Sequence, residues 1–166
     1  AATFTVIYAY NDADGGNSTV SNTFTTDSTV ITLPTPTRTG YDFGGWYSNS
    51  NLTALSTVGA AGANYSPTTN LTIYAKWTAV TRSVTYNTTN AGSGTAPTDA
   101  ASYTIGQNVI LKSNSGSLAR TGYTFAGWVT NSDGSGTAKN AGETLSVATA
   151  DINFYPQWSA NTYTIT

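Results

Sequence analysis

The sequence predicts a mostly β protein, α+β at most, made of two small modules in tandem with little helix. Three observations predict it. Apolar and polar residues alternate with the two-residue period of half-buried strands. No convincing amphipathic helix runs for ten residues or more. The chain also repeats itself: Arg38-Thr39-Gly40-Tyr41-Asp42-Phe43-Gly44-Gly45-Trp46 returns 82 residues later as Arg120-Thr121-Gly122-Tyr123-Thr124-Phe125-Ala126-Gly127-Trp128, with two positions changed.

The repeat sets the boundaries. Residues 1–79 form a first module and 80–160 a second, each of roughly 80 residues. Asn161-Thr162-Tyr163-Thr164-Ile165-Thr166 resembles Val80-Thr81-Arg82-Ser83-Val84-Thr85, so 161–166 reads as the first strand of a following repeat. Thr78-Ala79-Val80-Thr81, with neither Gly nor Pro, reaches at most about 14 Å and is expected to hold neighbouring modules close.

Taken in order, Phe4, Val6 and Tyr8 open the first module as Val84 and Tyr86 open the second. Asn11-Asp12-Ala13-Asp14-Gly15-Gly16 and Asn87-Thr88-Thr89-Asn90-Ala91-Gly92 follow as hairpin-type turns, because Asn, Asp and Gly tolerate positive φ. Second strands are expected over Val20 to Thr26 and Ala101 to Ile105. Pro34 and Pro36 then favour an extended approach to the central motif. Tyr41, Phe43, Gly45 and Trp46, with Tyr123, Phe125, Gly127 and Trp128, are assigned to the core, the glycines permitting a bulge or a close backbone approach. Without a bulge, Tyr41 and Trp46 differ in strand parity and face opposite ways. Asn51 to Val58 and Asn140 to Ala148 are the best helical stretches, both weakened by Thr, Ser, Val and Gly. The closing strand places Leu71, Ile73, Ala75 and Trp77 on one face, and Ile152, Phe154, Pro156 and Trp158 keep that phase. Ile73, Trp77, Phe154 and Trp158 therefore join the predicted core. Pro156 lacks an N–H and implies a sheet edge, a bulge or a strand end.

Composition narrows the chemistry. Modules this small bury little surface, and with no Cys to staple them the 4 Trp, 11 Tyr and 5 Phe must supply the interior. Charged residues are only 8% and the net charge is −2, so there is no footprint for nucleic acid or anionic lipid. No run of apolar residues is long enough to insert into a membrane. Without His or Cys, imidazole-based nucleophile triads are excluded, and the scattered carboxylates show no glycosidase spacing, so no enzyme activity is expected.

Gly40-Tyr41-Asp42-Phe43-Gly44-Gly45-Trp46-Tyr47, followed by Leu71-Thr72-Ile73-Tyr74-Ala75-Lys76-Trp77, resembles the Listeria–Bacteroides repeat, or internalin B-repeat, family. The second copy departs at Ala126, Val129, Pro156 and Gln157. The resemblance implies a small β-grasp-like module strung in tandem in bacterial cell-surface and adhesin-like proteins, acting as an extracellular stalk or spacer with no reaction of its own. Its partners would be the neighbouring repeats, with glycan or protein targets bound through other domains.

Sites are read against that background. Arg38 and Arg120, which precede the motif, are structural clamps over an aromatic ring or, alternatively, ligand contacts. A competing adhesion-module reading has exposed Tyr47, Tyr74 and Tyr155 join them in binding a glycan or protein. Homotypic association of stalks is a third option. Asp12 and Asp14 superficially resemble a calcium loop, but no Glu closes a twelve-residue loop and the second copy has no Asp there, so an Asx-rich turn is expected and no cofactor. Lys76, Lys112 and Lys139 are the lysines available for a side-chain amide crosslink, although Gln157 replaces Lys76 in the second copy. The Asn-X-Ser/Thr triplets at Asn17, Asn51, Asn64, Asn70 and Asn87 follow from the abundance of Thr.

Overall fold

The computed structural model describes residues 3–14, 19–25 (backbone only), 30–53 and 57–165. The chain divides into two compact units, Ala1–Val80 and Thr81–Thr166, both built of strands, with no helix among the described residues.

In unit 1, β1 (Thr3–Ala9) alternates so that Val6 and Tyr8 are buried. It pairs antiparallel with β2 (Thr19–Thr25), and just past its end Asn11 and Asp12 take positive φ. On its other edge β1 pairs in parallel with β7 (Leu71–Ala79), from Val6↔Leu71 to Ala9↔Tyr74. The long β4 (Tyr41–Tyr47) runs antiparallel to β7 and carries β5 (Thr57–Gly59) outside it, which gives the order β2-β1-β7-β4-β5. A two-stranded piece, β3 (Ile31–Thr32) with β6 (Asn64–Tyr65), completes the unit. The core gathers Val6, Tyr8, Ile31, Leu33, Trp46, Ile73 and Ala75.

Unit 2 keeps the same centre with fewer strands. β12 (Ile152–Ala160) lies between antiparallel β10 (Tyr123–Val129) and parallel β8 (Val84–Tyr86), while β9 (Asn108–Ile110) pairs with β11 (Thr144–Ser146). Val84, Tyr86, Val109, Leu111, Leu118, Trp128, Val147 and Phe154 form its core. Pro156 is buried opposite Trp128, whose main chain bonds to Lys139 on the far side. The missing N–H of Pro156 therefore faces the β8 side, where pairing has already ended at Phe154↔Tyr86.

Two expectations are corrected. Ala101 to Ile105 is not a strand: Tyr103 makes one bridge to Arg82, while Asp99 accepts the Ala101 N–H and Gln107 that of Thr104. These local side-chain bonds take up donors that a ladder would need. The Asn87–Gly92 turn consequently closes no hairpin, and Gly92 instead donates to the Ala119 carbonyl.

Among the described residues neither stretch is helical. Asn140–Glu143 is a tight turn with Gly142 at φ 84°, and Leu111 claims both neighbours by accepting from Gly142 N–H and donating to the Glu143 carbonyl. In unit 1, Thr57 and Val58 belong to β5, and residues 54–56 lie outside the described set.

The bulge that the glycines permit is present, so Tyr41 and Trp46 share a face. The β4–β7 register slips between Phe43↔Trp77 and Gly45↔Lys76, so Gly44 is the extra residue of a bulge.

Candidate functional site

The bulge decides where the motif side chains go. By switching parity it puts Phe43 and Trp46 on the same side, with ring centroids 5.5 Å apart at 65°, and Phe43 then meets Trp77 at 5.3 Å. Trp46 also takes Tyr8 at 5.5 Å and Tyr10 at 5.4 Å in edge contacts. Unit 2 repeats the device: Trp128 meets Phe125 at 5.1 Å and Tyr86 at 4.8 Å, Phe154 stacks on Tyr86 at 5.1 Å, and Phe125 meets Trp158 at 5.9 Å.

Both central indoles are 0% exposed, and each satisfies its N–H on the main chain, Trp46 to the Pro34 carbonyl at 3.0 Å and Trp128 to that of Lys112 at 2.8 Å. Trp77 and Trp158 are half-buried and donate to the Tyr10 and Thr89 carbonyls. Ile73 is fully buried. A buried indole whose one donor is satisfied has nothing left to offer a ligand.

Tyr41 and Tyr123 stand outside the core to which the sequence assigned them. Tyr41 is half-buried and Tyr123 is 36% exposed, because both sit at the first position of their strands. Each ring is covered instead by an arginine: the guanidinium carbons of Arg38 and Arg120 lie 3.9 Å from the Tyr41 and Tyr123 centroids. Tyr41 and Tyr123 N–H groups also donate to the carbonyls of Arg38 and Arg120, so each pair is one tight turn closed twice.

Asp14 receives the Thr39 N–H at 3.0 Å on one oxygen and the Thr39 hydroxyl at 2.9 Å on the other, while Asp12 lies 3.9 Å from the Arg38 guanidinium. The two carboxylates thus tie the first turn to the Arg38–Thr39 corner. Among the described residues no cluster of three metal-ligating side chains occurs.

Two of the lysine side chains have partners: those of Lys76 and Lys112. Lys76 holds its ammonium 5.1 Å over the Tyr47 ring, and the Lys139 main chain bridges to Trp128. Lys112 approaches a buried carboxylate, Asp99, at 4.0 Å. Asp99 also accepts the Tyr103 hydroxyl at 3.1 Å, and the Lys112 N–H donates to the Tyr86 hydroxyl oxygen at 2.9 Å. Burial raises the Tyr86 phenol above its ordinary value and the Asp99 charge adds to this, while the bond from Lys112 opposes it. Tyr103 is raised by burial, by its bond to Asp99 and by that same charge.

Tyr47, read from sequence as exposed, is 8% exposed, because Tyr74 is its direct partner on β7 and Lys76 reaches across its ring. Tyr74 and Tyr155 are half-buried. In unit 2 the partner of Tyr155 is Val129, a smaller residue, and Gln157 in place of Lys76 turns away to donate to the Gly134 and Gly136 carbonyls at 3.2 and 2.7 Å. Beside Tyr155 lies an open groove of about 740 Å³, lined among others by Asn131, Asp133, Ser146, Asp151 and Asn153. Sequence reasoning singled out Tyr155 alone of these; the signal for the rest was the cluster of departures at Ala126, Val129 and Gln157.

The model of the Listeria-Bacteroides repeat domain matches residues 4–76 and again 83–157. The chain belongs to this family. Each Listeria–Bacteroides repeat spans one aromatic core, from the opening strand to the second signature. Two proteins of Evansella cellulosilytica are similar to the pair of repeats: one named "Putative Gly-rich membrane protein" is 32% identical over 98% of this chain, and one named "Putative membrane protein" is 32% identical over 95%. The chain spans only 19% and 22% of their respective lengths. No solved structure matches it. Among the described residues no helix is long and apolar enough to cross a membrane.

Proposed function

We propose that this chain is a non-catalytic tandem-repeat segment of a bacterial cell-surface or secreted protein, serving as a semi-rigid extracellular spacer that holds an adhesive or other domain away from the cell. The observation that carries this reading is the twofold consumption of the motif aromatics: in each unit the repeated indole is fully buried and bonded to a main-chain carbonyl of the same unit. A residue kept in both copies for packing is what a repeated structural brick requires.

The sparsely charged composition and the membrane-protein names of much longer relatives support the same placement. Each unit closes its own core, so copies can be added without redesign, and reach grows by one module at a time. Small-angle scattering on a series of two, three and four linked repeats tests this. The maximum dimension is expected to rise by a near-constant step per repeat; a series that collapses to compact particles would defeat the spacer reading.

A further inference from the structure

We propose that unit 2 carries a binding site for a neutral carbohydrate, in the groove lined by Asp151, Asn153 and Tyr155 of the closing strand and its approach and by Asn131 and Asp133 of the turn after β10. The proposal goes beyond the spacer reading and does not rest on it.

The groove, at about 740 Å³, lies within the roughly 300–1,000 Å³ typical of small-molecule sites, and it is open to solvent, so an extended chain can lie along it. Its lining has the composition that a sugar requires. Tyr155 gives an aromatic plane with a hydroxyl at its rim, suited to the apolar C–H face of a pyranose. Neither its hydroxyl nor the exposed Asn153 amide has a hydrogen-bond partner among the described residues. Asp151 spends one carboxylate oxygen on the Ser83 N–H at 2.8 Å, and its other oxygen remains an acceptor for a sugar hydroxyl. Asp133 is exposed, and the bonds from Ser135 hold its carboxyl below the usual range, so it is ionised at neutral pH. Two carboxylates in one groove repel uronates and sialic acids and select uncharged sugars.

The differences between the two copies point to the same place. Unit 1 fills the space next to Tyr74 with Tyr47, and Lys76 reaches over that ring. In unit 2 the smaller, buried Val129 stands opposite Tyr155, while Gln157 donates to the Gly134 and Gly136 carbonyls and ties down the turn that carries Asn131 and Asp133. Asn131 is itself tied to Ser135 at 3.1 Å, so that turn is preorganised. Val129 and Gln157 thus act together as positioning residues.

The test titrates the chain, by calorimetry and by amide chemical shifts, with short neutral oligosaccharides of glucose, mannose, galactose and N-acetylglucosamine, and with a sialylated glycan. Saturable binding of at least one neutral member is expected, with shifts confined to 131–133 and 146–155 and weakening of about tenfold in Tyr155→Ala. Asn153→Ala, at an exposed position, is expected to weaken binding several-fold with an unchanged melt. Val129→Tyr combined with Gln157→Lys rebuilds the side chains that unit 1 already accommodates, and should abolish binding while the unit stays folded. Absence of binding across the panel, equal binding of the sialylated glycan, shifts elsewhere, or binding that survives the rebuilt groove would each overturn the proposal. None of these results alters the scattering series, so the site and the spacer fail separately.

Discussion

Gly127 lies so close to Lys139 that a methyl group on its α-carbon would sit 2.7 Å from the Lys139 carbonyl oxygen. Its φ of 136° adds a backbone conformation that L side chains rarely adopt. Gly45 repeats the arrangement against Gly59 with more room, 3.1 Å, at φ 109°. Gly127→Ala should therefore destabilise unit 2 by about 2–4 kcal/mol, and Gly45→Ala should cost unit 1 less. Urea melts followed through the amide signals of each unit check both the size and the order; equal, negligible effects would mean that the bulge glycines are dispensable.

The bulge exists to bring a tryptophan inward, so the indoles should dominate stability. Trp46→Ala or Trp128→Ala is expected to cost its own unit about 3–5 kcal/mol, much of a marginal fold's total. Trp128→Phe separates packing from polarity: it keeps most ring contacts but leaves the Lys112 carbonyl without its donor, and should cost roughly 1–3 kcal/mol. Denaturant midpoints decide; a wild-type melt for the alanine variants would refute the core assignment.

How much of this was written in the sequence depends on whether one strand or two had to be known. The faces of β7 and β12 follow from alternation alone, since Ile73, Ala75, Phe154 and Pro156 are buried as the period requires. The relation of Tyr41 to Trp46 does not, because a bulge is defined by the partner strand, and Gly44 carries no mark distinguishing an extra residue from a paired one. Likewise the helical stretches were judged by propensity, whereas Leu111 competes for the backbone of the second, at Gly142 and Glu143, from a distant part of the sequence. Burial of Tyr47 needed Lys76 and Tyr74 from another strand. The groove was half legible: Val129 and Gln157 stood out as departures between the copies, but only the register shows that they flank Tyr155.

Asp14 offers a prediction confined to unit 1, because unit 2 has no counterpart. Its carboxylate holds both the N–H and the hydroxyl of Thr39. Asp14→Ala should cost about 1–2 kcal/mol, and Asp14→Asn, which keeps one acceptor, less. Hydrogen exchange of the Thr39 amide should accelerate in Asp14→Ala while unit 2 amides stay unchanged. Since both oxygens are already engaged, calcium should leave the unit 1 melt where it was. A calcium-dependent rise in the wild type, lost in Asp14→Ala, would restore the metal reading.

The pH response of unit 2 follows from Tyr86 and Tyr103, whose phenols titrate above the ordinary tyrosine value when folded. A raised folded value means that the folded state holds its proton more tightly than the unfolded chain does. The associated stability is therefore fully present below the unfolded value near pH 10 and is lost as pH rises through the folded values. Burial is the first cause for both, and ionising Tyr103 would in addition set a phenolate against the Asp99 carboxylate at a contact of 3.1 Å. In unit 1 Tyr10 is likewise raised, by burial alone. Urea midpoints should stay level up to about pH 9 and then fall steadily, with phenolate absorbance from the buried tyrosines appearing only as unfolding begins. Tyr103→Phe should lower stability at neutral pH by removing the bond to Asp99, yet flatten the alkaline decline of unit 2. If that decline keeps its full slope in Tyr103→Phe, the Tyr103–Asp99 contact is not what makes the unit sensitive to alkali.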